Sequence, residues 1–260
     1  MSSNRSSKLL LAGLVLALVA AGPAAAVSVS GGSAPSEAAV GSSVDVTYTL
    51  EELYTNYDEW SLEGETGLTS VTWTVTTYDL SGSQQERYEY TGQSFAHALS
   101  KDDDVAEVTV RVQGTVPEWS NWSYDPAQSL TVATFDETKA GGTETNITSS
   151  TTRPYTEASQ AARTAIEAAQ STIDEASGAG ADVTEAENLL SNAVSAYDAG
   201  NFGNAQDLAE NAEASAQSAQ QSSQRTSTLM LLGGAVLVLG LLGGIAYWYL
   251  SNRETYDKLG

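Results

Sequence analysis

Three observations predict a multidomain chain: an all-β sandwich, then an all-α hairpin or three-helix stalk continuous with a single transmembrane helix. Apolar residues alternate with polar ones from Val27 to about Asp136, recur at helical spacing from Thr156 onward, and fill a charge-free run between Arg225 and Arg253. A period of two belongs to half-buried strands, and a three-to-four spacing belongs to helices that bury one stripe. The boundaries that follow are 1–26 for a signal peptide, 27–138 for the sandwich and 139–155 for a Thr/Ser/Gly linker. Residues 156–227 form an acidic, Ala-rich stalk, 228–250 the membrane helix and 251–260 a cytoplasmic tail.

The strand signal is clearest in Val44-Asp45-Val46-Thr47-Tyr48-Thr49-Leu50, Val71-Thr72-Trp73-Thr74-Val75 and Val108-Thr109-Val110-Arg111-Val112. Val27 to Ser30, the stretch Glu86 to Leu99 broken at Gly92, and Ser129 to Thr134 add further strands. About seven strands in roughly 110 residues suit an immunoglobulin-like sandwich, with Trp73 as its large core side chain. Cysteine is absent, so packing rather than a disulfide must hold the two layers.

Ala39-Val40-Gly41-Ser42-Ser43-Val44 resembles the entry to the second strand of polycystic-kidney-disease-type (PKD) domains, and Ser70-Val71-Thr72-Trp73 is similar to their third strand. His97-Ala98-Leu99 followed by Val105 to Val112 resembles that family's histidine segment and long penultimate strand. The family's Gly-Asp-Gly turn is replaced by Thr76-Thr77-Tyr78-Asp79-Leu80-Ser81-Gly82. The resemblance implies an extracellular binding or spacer module rather than chemistry.

The stretch before Thr156 has no apolar periodicity and reads as a linker. Beyond it, Ala162, Ile166, Ala169, Ile173 and Ala176 share one helical face until Gly178-Ala179-Gly180. Thr184-Glu185-Ala186-Glu187 reads as a capping box opening a second helix that carries Leu190, Val194 and Tyr197. A third helix follows Gly200-Asn201, with Phe202, Ala205, Leu208, Ala212 and Ala219 on or near its inner stripe. The junction Tyr197-Asp198-Ala199-Gly200-Asn201-Phe202-Gly203-Asn204-Ala205 is similar to that of tetratricopeptide-type hairpins. A single copy cannot build a solenoid.

At the N-terminus, Arg5 and Lys8 precede the apolar run Leu9 to Ala21 and the triplet Ala24-Ala25-Ala26, the layout of a signal peptide; an uncleaved anchor is the alternative. Tyr247, Trp248 and Tyr249, with Arg253 and Lys258 beyond them, place the C-terminus in the cytoplasm of a single-pass, type I cell-membrane protein. Gly240 and Gly244, with Gly233 a heptad earlier, form a packing face for homo- or hetero-oligomers.

The net charge of −22 argues against nucleic acid as a partner, because phosphate binding needs a basic footprint. The surplus of Asp and Glu, with abundant Ala, Gly, Ser, Thr and Val, resembles proteins of extremely halophilic archaea. Asn121-Trp122-Ser123 and Asn146-Ile147-Thr148 are glycosylation sequons, so Asn121 and Asn146 are candidate acceptors.

No catalytic set, cofactor or metal site is expected. His97 is the only histidine, has no cysteine to share a zinc ion with, and reads as a strand residue near a turn. Asp102-Asp103-Asp104 lacks calcium-loop spacing and reads as a solvated turn. Aromatic residues outside the strand pattern are more informative. Tyr54, Tyr57 and Trp60 fall in one connection and Trp119, Trp122 and Tyr124 in another, which in an immunoglobulin-like sandwich share a pole. The six rings form either a binding surface or a lid over the core. The function expected is a non-enzymatic cell-surface binding or adhesion module that meets a surface protein or glycan. The alternative is an accessory subunit of a membrane complex, assembled through the glycine-bearing helix.

Overall fold

The computed structural model describes residues 27–139 and 141–223. They form two compact units, one of residues up to Pro117 together with Ser129–Thr152, the other of Glu118–Gln128 together with the chain from Arg153 onward.

The first unit is a β-sandwich. Its strands are β1 (Ser28–Gly31), β2 (Glu37–Ala39), β3 (Ser43–Glu51), β4 (Glu59–Glu65), β5 (Thr69–Tyr78), β6 (Gln84–Thr91), β7 (Ser94–Ser100), β8 (Glu107–Thr115), β9 (Leu130–Lys139) and β10 (Thr143–Tyr155). One sheet runs β1-β3-β8-β5-β6 and the other β2-β10-β9-β4-β7. Alternation does what the sequence predicts: Val44, Val46, Tyr48 and Leu50 of β3 are buried, as are Val108, Val110 and Val112 of β8. Each inward residue removes apolar surface from water at about 25 cal/mol per Å². Trp73 is fully buried and packs against Phe95 at 5.0 Å and Phe135 at 6.1 Å, with Tyr48 edge-on to Phe135 at 4.9 Å. These rings come from both sheets and join them.

Gly92 does separate two strands. Its φ of +106° suits glycine, its carbonyl accepts the Trp73 indole N–H at 3.0 Å, and the strands on either side belong to different sheets. Gly64 lies opposite Phe95 across β4 and β7. A Cβ there would stand 2.2 Å from the Phe95 ring, so glycine makes room for the aromatic.

The segment expected to be a linker, 139–155, is largely strand β10, paired with β9 through irregularities between Asn146 and Thr148 and between Ser150 and Thr151. Its threonines favour extended backbone, and its interrupted pairing erases the simple alternation by which strands are recognised. The division between units accordingly falls after Thr152.

The second unit is helical: α1 (Glu157–Gly178), α2 (Thr184–Asp198) and α3 (residues 202–223). Thr156 caps α1 by accepting from the Ser159 N–H at 3.1 Å while Ser159 Oγ accepts from the Thr156 N–H at 2.8 Å. The expected capping box at Thr184 does not form. Asp182 instead accepts from the Thr184 N–H and hydroxyl, at 3.2 and 2.8 Å. The helices meet along Ala162, Ile166 and Ala169 of α1, Ala186, Leu190 and Ala193 of α2, and Ala205, Ala209, Ala212 and Ala216 of α3. Small side chains allow close approach at the cost of a thin apolar layer.

No helix among the described residues is long and apolar enough to cross a membrane. The expected fold class is corrected on this point: helices follow a sandwich, but no single transmembrane helix is supported, nor the single-pass cell-membrane topology drawn from it. The reason is visible in the helices themselves, each of which buries a narrow stripe and clothes the rest in Glu, Asp, Gln, Asn and Ser. Residues 228–250, on which the span and the packing glycines Gly233, Gly240 and Gly244 were placed, lie outside the described residues, as does the signal peptide 1–26.

The alanine layer carries a test. Ala209→Leu inserts three carbons into a fully buried site and is expected to cost about 1–3 kcal/mol. Urea unfolding followed by far-UV circular dichroism measures it, with exposed Ala214→Leu as the control that should change little.

Candidate functional site

The connection from β3 to β4 forms one side of a cleft in the sandwich unit. Leu53 anchors it in the core, 2% exposed, and Glu52 turns the chain with φ +58°. Tyr54 donates its hydroxyl to the Ser100 carbonyl at 2.8 Å. Burial, helped by the nearby Asp103 charge, pushes that phenol up to about 12, so it remains a donor at neutral pH. Asp58 accepts from Lys101 Nζ at 2.9 Å, and its carbonyl accepts from the Lys101 N–H at 2.9 Å. Tyr57 has Lys139 Nζ over its ring, 4.8 Å from the centroid.

Beneath this strap lies a buried carboxylate. Glu137 of β9 is 1% exposed; one oxygen accepts from Asn56 Nδ2 at 2.8 Å and the other has no partner among the described residues. Glu137 pairs with Leu62 of β4, and Ser61 pairs with both Thr138 and Ala98. The strap, the start of β4 and the ends of β7 and β9 enclose a cleft of about 850 Å³. Two of its lining residues, Trp60 and Thr138, have a buried polar atom, Nε1 and Oγ1, with no partner among the described residues.

The six predicted aromatic residues divide evenly between the units. Tyr57 and Trp60 line the cleft, Trp60 being buried on β4, and Tyr54 ties the strap beside it. Trp119, Trp122 and Tyr124 belong to the helical unit. Trp119 donates its indole N–H to the nearby Asn121 carbonyl at 2.9 Å. Trp122 packs edge-on against Phe202 at 4.9 Å, and Tyr124 against Tyr197 at 5.8 Å. The Arg163 guanidinium lies 4.4 Å from the Tyr124 ring and 5.4 Å from Tyr197, and Nη2 donates to the Tyr124 carbonyl at 2.7 Å. Asp198 accepts from the Tyr124 N–H at 2.7 Å. Trp122 and Tyr124 pin residues 118–128 to the helices.

Of the sequons, Asn121 is exposed, while the Asn146 amide donates to Asp136 Oδ1 at 2.8 Å within the β9–β10 pairing. His97 is mid-strand, 8% exposed, with Nδ1 2.9 Å from the Tyr90 hydroxyl and its ring 4.6 Å from that of Tyr88. Burial lowers its pKa, and the charge of Glu86 opposes this. Asp102 and Asp103 lie in the 3₁₀ turn Lys101–Asp103, closed by Asp104 at φ +57°. Among the described residues no group of three or more His, Asp or Glu is arranged to hold a metal ion. The sequence reading missed Asn56 and Thr138, which line the cleft, and Glu137, which lies behind Asn56. A glutamate at an inward position of a strand was the available signal.

Two outcomes follow. Asn56→Ala strips Glu137 of its partner and is expected to destabilise the chain by about 1–3 kcal/mol, read as a lower urea midpoint; in a Glu137→Leu background the same change should cost far less. For His97, the unfolded chain takes up a proton near 6.5 while the native imidazole takes it up only at lower pH. Stability is therefore expected to fall as pH drops below that value. Urea midpoints at about pH 7 and about pH 5.5 should differ less in His97→Gln than in the parent. Asp45, held low chiefly by its hydrogen bond to Arg111, responds only below 3.8.

No family model matches the chain, and no curated protein matches it. Among solved structures, the sporulation control protein Spo0M from Bacillus subtilis is 14% identical with a TM-score of 0.29, covering 55% of each chain. A DUF4466 family protein from Parabacteroides merdae is 12% identical at a TM-score of 0.31, covering 50% of this chain and 46% of that one. A cohesin module from a Clostridium perfringens family 33 glycoside hydrolase is 11% identical at 0.22, covering 50% of this chain and 98% of the module. The chain spans about half the length of the first two. At these TM-scores the likenesses carry no argument about fold or function.

Proposed function

We propose that this chain is a non-enzymatic binding module whose sandwich unit receives its ligand in the cleft bounded by Asn56, Tyr57, Trp60 and Thr138. The observation that carries this reading is the cleft of about 850 Å³ itself, where the exposed residues Asn56, Glu59 and Asp103 and the half-buried Tyr57 ring surround one concavity beside β4 and β9. The strap is tied down before any ligand arrives, through Leu53, Tyr54, Asn56 and Asp58. Preorganisation of this kind lowers the ordering cost of binding.

The reading favours binding over catalysis because the groups at the cleft hold and position rather than react. His97, the one residue suited to proton transfer near neutral pH, faces Tyr88 and Tyr90 and is not among the residues lining this cleft.

The test is a mixed library of sugars, short peptides and nucleotides, screened against the full chain by amide chemical-shift perturbation. Binders are expected to move the signals of residues 56–60, 98–100 and 138–139, and Tyr57→Ala should weaken them. Binders that map only elsewhere, or chemical conversion of a library member, would overturn the proposal.

A further inference from the structure

We infer that β6 is a self-pairing edge, along which two copies of this chain associate antiparallel about a two-fold axis at Tyr88. No residue of β6 lines the cleft, so the two surfaces stand or fall separately.

Among the described residues, β1 and β6 end one sheet and β2 and β7 the other. β1 and β2 are short, at four and three residues, and β7 buries alternate side chains. β6 has eight residues, and all but Tyr90 are exposed. An outer strand of this length offers a row of backbone N–H and C=O groups to an incoming strand. It contains neither lysine nor proline, the residues that commonly guard such an edge, and its pairing with β5 is regular from Arg87 to Thr91.

The charges of β6 select the partner. Tyr88 lies opposite Val75 and Tyr90 opposite Trp73. Both β5 residues are buried, so the tyrosines stand on the core side of the strand, and Arg87 and Glu89 on the outer side. Within one chain Arg87 Nη2 already reaches Glu89 Oε1 at 3.1 Å, and both side chains are more than half exposed. In an antiparallel pair of β6 strands centred on Tyr88, Arg87 of each copy faces Glu89 of the other. The two pairs within the chains are then joined by two between them, in a cluster of four alternating charges. Opposite charges at facing positions stabilise a strand pair, and like charges destabilise it. A slip of two residues, the smallest that keeps each side chain on its own face, sets Arg87 against Arg87 or Glu89 against Glu89. The strand therefore fits an inverted copy of itself in one register, the self-complementary contact of a two-fold dimer.

Tyr88 supplies the apolar part. It is one of two large hydrophobic residues exposed among those described, at 36%, and at the axis it meets its own copy. An aromatic pair facing across two strands is favourable. One eight-residue edge makes a small interface, so the dimer is a weak one.

Sedimentation equilibrium of the full chain, covering dissociation constants up to about 1 mM, is expected to show monomer and dimer. About 0.15 M salt suits it, because charges more than about 8 Å apart are largely screened while facing pairs still act. Arg87→Glu and Glu89→Arg each set like charges face to face twice, and each should weaken the dimer about tenfold; combining the two changes should restore it. Urea midpoints check that these exposed substitutions keep the fold. The chain has no cysteine, so a single introduced one reports the register. Tyr88→Cys sets two thiols across the axis within disulfide reach, whereas Gln85→Cys holds them about 20 Å apart. Under mild oxidation the first is expected to give covalent dimer much faster than the second. A chain that stays monomeric, whether its edge is idle or takes a strand from another protein, would overturn the inference. So would a dimer indifferent to the reversals or not rescued by combining them, or equal cross-linking by the two cysteine variants.

Discussion

The contact on which the sandwich depends is the meeting of rings around Phe135. Tyr48 approaches it from one sheet at 4.9 Å and Trp73 at 6.1 Å, while Phe95 of its own sheet lies 6.5 Å away. With no cysteine in the chain, nothing covalent holds the layers, and the edge-on geometry of these rings adds to the area they bury. The same strand then supplies Glu137 two residues on, at the next inward position, and Lys139 two after that. A single strand thus passes from the driest part of the core to the rim of the cleft, and the placement of its polar groups follows from the packing of its aromatic one.

The helical unit solves the problem of weak packing differently. Its alanine stripes approach closely but bury little, and the largest rings at its core are Tyr197 and its neighbours Trp122, Tyr124 and Phe202. Two of these come from residues 118–128, which lie between two strands of the sandwich in sequence. Arg163 is held between Tyr124 and Tyr197 and bonds the backbone of that same segment. A buried guanidinium is costly unless it is engaged, and here its face meets two rings and Nη2 the backbone, while Nε has no partner among the described residues.

Much of this was legible in the sequence, for reasons that differ by element. Strands β3, β5 and β8 announce themselves because one face is dry and the other wet, and Trp73 was placed in the core on that ground. The three helices were legible from the helical spacing of their alanines together with Ile166, Ile173, Leu190, Val194, Tyr197 and Leu208. Strand β10 was not, since its Thr and Ser side chains carry little hydrophobic signal and its pairing is interrupted twice. The six aromatic residues read as departures from the pattern, whereas Trp60 sits at an inward position of β4, and parity along a strand cannot say which unit a connection joins. That choice was made by Phe202 and Tyr197, some 70 to 80 residues further along the chain. Glu137 was overlooked because an acidic residue near a strand end is ordinarily solvated, and only the strap showed otherwise.

The route of residues 118–128 has a consequence for how the protein can be taken apart. The backbone passes between the two units at Pro117, at Gln128 and again at Thr152, so no single cut yields both pieces whole. A fragment ending at Thr152 retains Trp122 and Tyr124 while losing Phe202, Tyr197 and Arg163, and presents two uncovered rings to water. A fragment beginning at Arg153 keeps the helices but opens a trough along them where those rings belong. The helical unit is therefore completed by a loan from the middle of the β-sandwich sequence, and dissection has to respect that debt by carrying residues 118–128 with the helices.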